Sequence, residues 1–197
     1  MRSTHLRALI FTGIALSIVG CDQVTKYEAV AYLTRAFAAR SASAGSAGFA
    51  DALSDFWHLD HEHGSTRLSV LGDFWHLQYI ENPGMAWSLL RNAPPAARRY
   101  FLLTTSLVAM AFIIAYARRS KPRHRATLVG LALVFGGALG NFIDRLRLGY
   151  VIDFIEWHWY DRLTWPLFNV ADAAISTGVS LLLLVALLEH RQPQRSA

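Results

Sequence analysis

The sequence predicts an all-α membrane protein: four transmembrane helices, N-in/C-in topology, and a small β-type element on the outer face. Three observations carry that prediction. The 197 residues are 53% hydrophobic and only 17% charged, unusually apolar for a soluble domain of this length. Four apolar stretches each approach the ~20 residues that cross a bilayer as a helix. The basic residues behind the net charge of +5 fall mainly in short segments beside those stretches, where they set orientation. No segment resembles a basic recognition helix, so a nucleic-acid partner is not expected. Membrane lipids are. The lone Cys21 excludes an intrachain disulfide, and residues 1–197 read as one integral membrane domain.

The spans are expected at about 8–33, 100–117, 126–143 and 170–188. The first is interrupted by Asp22 and Lys26; the third carries Gly136 and Gly140, a small-residue spacing suited to close helix packing; the fourth contains the run Leu181 to Leu184. Arg2 and Arg7 precede span one, Arg118, Arg119, Lys121, Arg123 and Arg125 crowd the link between spans two and three, and Arg191 and Arg195 follow span four. These segments are assigned to the cytoplasm, which leaves about 34–99 and 144–169 outside. All six tryptophans fall in those two outer segments, where indole rings favour the headgroup level. The first outer segment opens with the small-residue stretch Ser41 to Gly48, which reads as a flexible link. It then repeats itself: Asp55-Phe-Trp-His-Leu59 recurs as Asp73-Phe-Trp-His-Leu77, and the second copy continues into a strand-like alternation. Phe56 and Trp57 are expected to dip into the outer leaflet, with residues 41–62 removable without loss of the fold.

Ionisable groups in spans cost about 2 to 3 kcal/mol each and need partners or a function. Here they cluster towards the outer side. Asp22, Thr25 and Lys26 share one helical face, with Asp22 and Lys26 spaced to pair; taken alone, this is equally an interfacial ion pair. Asn141, Asp144 and Arg145 repeat the spacing at the end of span three, where a helix end neutralised by its own charges would look the same. Asp153 lies in the apolar run Tyr-Val-Ile-Asp-Phe-Ile, and Asp172 stands three residues after Asn169 at the start of span four. An Asp there also complements a helix dipole. Two carboxylates close together in a low-dielectric site cannot easily both ionise, so one keeps a proton, which suits acid/base hydrolysis of an amide.

In order, Asp22-Gln-Val-Thr-Lys26, Asn82-Pro-Gly-Met-Ala-Trp87, Gly136-Gly-Ala-Leu-Gly-Asn-Phe-Ile-Asp-Arg145, Val151-Ile-Asp-Phe154 and Phe168-Asn-Val-Ala-Asp172 make the chain resemble lipoprotein signal peptidase, also called signal peptidase II. The resemblance implies an aspartyl endopeptidase with the catalytic pair Asp153 and Asp172, no metal and no cofactor. It implies substrate-binding or supporting roles for Asp22, Lys26, Asn82, Gly84, Asn141, Asp144, Arg145, Asn169 and Ala171. The implied substrate is a pro-lipoprotein whose cysteine already carries diacylglycerol, cleaved just before that cysteine at the outer, periplasmic side of the bacterial inner membrane. A globomycin-type inhibitor and a small cradle on the outer face, formed by the segment with Asn82, are implied too.

The chain departs from the family pattern in a longer 34–72 segment and in Pro83 and Trp87, where the family carries Thr and Phe. The run Ile18 to Cys21 resembles a lipobox, but cleavage there would sever span one from the motif that follows. His58, Asp60, His61, Glu62, His63 and His76 match no strong zinc spacing and read as a solvated loop. A small proton-coupled transporter or channel is the rival reading, because it too would place carboxylates in spans. Against it, the inner halves of spans two and four are purely apolar, whereas a relay needs ionisable groups through the full depth.

Overall fold

The computed structural model describes residues 2–37, 48–58, 64–84, 93–119, 125–159 and 163–190. Most of the Ser41 to Gly48 link, Leu59 with Asp60, His61, Glu62 and His63, the Met85 to Trp87 end of the second motif, Lys121 and Arg123, and Arg191 and Arg195 lie outside the described residues.

Four long helices are present, α1 (Arg2–Leu33), α3 (Pro95–Arg119), α4 (Arg125–Arg147) and α5 (Val170–His190), with a short α2 (Phe49–Trp57) after the first. The four long ones contain the expected spans and run a few residues beyond most of them, and each is long and apolar enough to cross a membrane. Their outward faces carry exposed Leu9, Leu16, Phe112, Leu183 and Leu187, a pattern that water would not tolerate and lipid requires. α4 is the central element, packed against α1, α3 and α5. Its glycines allow this: a Cβ on Gly136 would stand 2.9 Å from the Ala15 carbonyl oxygen, and one on Gly137 would collide with the Ala171 carbonyl.

At 32 residues, α1 is about 48 Å long, well over the ~30 Å hydrocarbon thickness, so its last turns reach past the bilayer. There Ala29, Val30 and Leu33 join Phe56, Tyr79, Tyr150, Ile152 and Phe154 in a buried core. The core sits under an antiparallel sheet of order β1-β2-β3-β4, formed by Leu68–Leu71, Trp75–Asn82, Val151–Trp159 and Leu163–Thr164. β2 and β3 pair with Ile80 opposite Asp153 and Asn82 opposite Val151, and a register shift falls between Leu77 and Ile80. The second outer segment therefore contributes strands as well. β3 escapes a reading by periodicity because Val151, Ile152, Asp153 and Phe154 are all buried, which removes the alternation that marks a half-exposed strand.

The two Asp-Phe-Trp-His-Leu copies adopt different structures. The first copy ends α2; the second forms a turn, with Phe74 N–H donating to the Leu71 carbonyl at 3.0 Å, and then enters β2. The expectation that Phe56 dips into the leaflet is wrong. Phe56 is 4% exposed, with Tyr27 edge-on at 5.5 Å and the Arg147 guanidinium 4.1 Å above its ring. Arg147 also donates to the Phe56 carbonyl at 3.0 Å. An aromatic ring that can reach a protein core loses more water there than at an interface, and Phe56 reaches one because α1 overshoots the bilayer. Trp57 remains half exposed.

Candidate active site

α1, α4, α5 and β3 meet at one end of the bundle, beside the sheet. β3 carries Asp153, 2% exposed, and β2 ends alongside it. Asn82 at that end donates through Nδ2 to Asp153 Oδ2 at 2.8 Å, while its Oδ1 accepts the Gly84 N–H at 2.9 Å. Gly84 takes φ +90° and lies hard against Leu102, so this turn, and with it the aim of Asn82, needs a residue without Cβ. On the other side, Asn169 Nδ2 donates to Asp153 Oδ1 at 2.7 Å and lies 3.1 Å from Asn141 Oδ1.

Asn169 is also the N-cap of α5. Its Oδ1 accepts the Asp172 N–H at 2.9 Å, and Asp172 Oδ2 faces the Asn169 N–H at 3.4 Å, a capping-box arrangement. One oxygen of Asp172 thus serves the helix start, and the other, Oδ1, accepts from Asn141 Nδ2 at 2.8 Å. Asp153 and Asp172 are joined through the two amides of Asn141 and Asn169. Burial, reinforced by the charge of Asp172, pushes the Asp153 carboxyl up to about 7 against the opposing pull of Asn82, Lys26 and Asn169.

Beneath this pair lies a fully buried ionic group. Lys26 Nζ stands 2.8 Å from Asp22 Oδ2, 2.8 Å from Asp144 Oδ2 and 3.2 Å from Asn141 Oδ1. Asp22 Oδ1 accepts the Ala171 N–H at 3.0 Å, and Asp144 Oδ2 accepts the Ile152 N–H at 3.2 Å. One lysine with two carboxylates therefore fastens α1 to α4, to the first turn of α5 and to the start of β3. Gly140 makes room, since a Cβ there would stand 2.6 Å from Asp22 Oδ2.

The structure brings together Asp22, Lys26, Asn82, Gly84, Asn141, Asp144, Asn169, Ala171 and both aspartates. Arg145 is half-buried within electrostatic range of Asp172, Asp144 and Asp153, with Nε lacking a hydrogen-bond partner among the described residues. Thr25 does not join; its hydroxyl donates to the Cys21 and Asp22 carbonyls of its own helix. Gln23 was missed. Its amide reaches Asp144 Oδ1 at 3.0 Å and Asp22 Oδ2 at 3.2 Å, and its place inside the Asp22 to Lys26 motif was the available signal. Cys21 lies inside the unbroken α1, so the lipobox-like run is mid-helix.

The family model for signal peptidase (SPase) II matches residues 14–188. The chain belongs to the signal peptidase II family. It is therefore a membrane peptidase, and the transporter reading is set aside. A lipoprotein signal peptidase of Anaeromyxobacter sp. (strain Fw109-5) is 43% identical over 185 residues, covering 91% of this chain and 83% of that one. One from Geobacter metallireducens is 44% identical over 117 residues, 59% of this chain and 70% of its own. Two solved bacterial membrane enzymes share the peptidase's fold, one with TM-score 0.67 at 25% identity over 95% of this chain and 93% of that one. The other has TM-score 0.62 at 26% identity over 90% and 92%.

Proposed function

We propose that this peptidase removes signal peptides from diacylglyceryl-modified pro-lipoproteins, cutting just before the lipidated cysteine, with Asp153 and Asp172 as its catalytic pair. The observation that carries the proposal is the amide-bridged pair itself: two carboxylates on different elements, linked through Asn141 and Asn169. With Asp153 pushed up to about 7, the pair holds one proton and one charge near neutral pH. The ionised member takes a proton from water as the oxygen attacks the scissile carbonyl. The protonated member donates a hydrogen bond to that carbonyl, and a proton then passes to the leaving nitrogen as the C–N bond breaks. Asn82 and Asn169 fix the rotamer of Asp153, and the Lys26 group holds the elements that present both acids.

The site would face the periplasm at the outer surface of the inner membrane. Arg7, Arg118 and Arg119 lie at the opposite helix ends, which supports a cytoplasmic placement for those ends. On the sheet side, Phe74, Trp157, Trp159, Leu163 and Trp165 are exposed, an aromatic surface suited to the headgroup region and to membrane lipids. A globomycin-type cyclic peptide would act at the same carboxylate pair.

The test is cleavage of a lipidated precursor by the purified chain. Asp153→Asn and Asp172→Asn should each reduce turnover by about 1,000-fold or more while keeping a cooperative melt. Turnover near wild type in either variant would overturn the pair, whereas an inactive wild type on several lipidated precursors would overturn the substrate.

A further inference from the structure

At the far end of the sheet, a second polar cluster brings together residues distant in sequence. His76 in β2 pairs directly with Glu156 in β3, and His158, two residues on, shares the face of Glu156. One ligand-capable atom from each of the three lies within 4.8 Å of the others. Asp153 has the opposite parity on β3, so this cluster faces away from the carboxylate pair.

Two features leave the cluster unsatisfied as a plain hydrogen-bond group. His76 is 7% exposed, and its Nδ1 has no hydrogen-bond partner among the described residues, a costly state for a buried imidazole. His158 Nε2 stands 2.8 Å from Glu156 Oε1 and also 2.8 Å from Arg67 Nη2. Towards the carboxylate that nitrogen must carry a proton; towards the guanidinium it must offer a lone pair. It cannot do both. A metal cation takes the lone pair and the carboxylate oxygen at once. Arg67 already supplies a positive charge there, its Nε donating to Glu156 Oε2 at 2.8 Å, yet its side chain is 44% exposed and able to swing out.

We propose that His76, Glu156 and His158 form a binding site for a divalent transition metal of the zinc type, with Arg67 as a built-in cation that competes with the metal for it. Two imidazoles and one carboxylate are a donor set that zinc accepts with a fourth position left for water. Ligand atoms around a tetrahedral zinc stand roughly 3.4 Å apart, so side-chain rotations close the cluster from its present spacing without moving the strands. A bound ion would tie β2 to β3 and stiffen the sheet that also carries Asn82 and Asp153. Of the histidines prominent in the sequence, His76 belongs to this site, and its partners come from the second outer segment.

The experiment uses the full chain in detergent, stripped with chelator and titrated with Co2+, read by its visible d–d absorption, with Zn2+ then added to displace it. Wild type should bind one equivalent saturably. His76→Ala and His158→Ala should each weaken binding by about 100-fold, while Arg67→Gln should tighten it by about tenfold. Metal-free melts establish that each variant is folded. Absence of saturable binding in both wild type and Arg67→Gln overturns the site, as does binding that survives in the His76→Ala/His158→Ala double variant. Should the histidine variants fail to fold, the wild type against Arg67→Gln comparison decides alone, and equal affinities overturn the competition.

Discussion

Asp153 owes its properties to the residues that surround it more than to its own side chain. Buried between two asparagine amides and facing Asp172, its carboxyl is pushed up to about 7 from an ordinary 3.8. A carboxyl raised on folding stabilises the folded state fully below its unfolded value and loses that contribution as pH rises through its folded value. Wild type should therefore lose melting temperature between about pH 4 and about pH 7, and Asp153→Asn should lose less over the same window; equal slopes would show that Asp153 ionises normally. The same titration predicts an alkaline limb in kcat/KM with its midpoint at about 7. Lys26 presents the complementary case. Fully buried between Asp22 and Asp144, it neutralises two carboxylates that would otherwise repel, so Lys26→Met should cost about 3 to 5 kcal/mol, read as a large fall in melting temperature.

At the scale of elements, α2 shows how a segment that reads as surface decoration becomes part of the core. Its Phe56 packs against Tyr27 and the Arg147 guanidinium within the buried cluster that also holds Tyr79 and Tyr150, whereas neighbouring Trp57 is 52% exposed. Phe56→Ala should destabilise by about 3 to 5 kcal/mol and Trp57→Ala by well under 1, measured as melting temperatures in detergent; comparable losses at both positions would contradict the packing. Deleting 41–62 should now unfold the outer core rather than spare it. The two pentapeptide copies make the same point, since one sequence ends a helix in one place and begins a strand in another. Local propensity does not separate them; what each packs against does.

Across the whole molecule, the four spans place the carboxylates at one end and Arg7, Arg118 and Arg119 at the other. With Cys21 replaced by Ser, a membrane-impermeant thiol reagent applied from outside should label Trp159→Cys and leave Arg119→Cys untouched until the membrane is opened. Labelling of Arg119→Cys from outside would invert the assigned orientation.

The sequence alone determined the four long helices and, through its motifs, nominated most of the residues that the structure gathers around Asp153 and Asp172. Long apolar runs have few alternatives in a bilayer, where each backbone group must be satisfied within its own segment, so α1, α3, α4 and α5 lie close to where hydropathy puts them. Spacing announced Lys26 beside Asp22, because four residues is one helical turn. Contacts between elements were not legible. Lys26 also belongs to Asp144, Asp22 also caps α5 through the Ala171 N–H, and Asn141 and Asn169 bridge the two carboxylates. β3 was hidden because burial on both faces erases its period. The pairing of His76 with Glu156 and His158 and the burial of Phe56 likewise arise only when distant segments meet: periodicity reports how a residue sits in its own element, and only the tertiary structure supplies the partner on the other side.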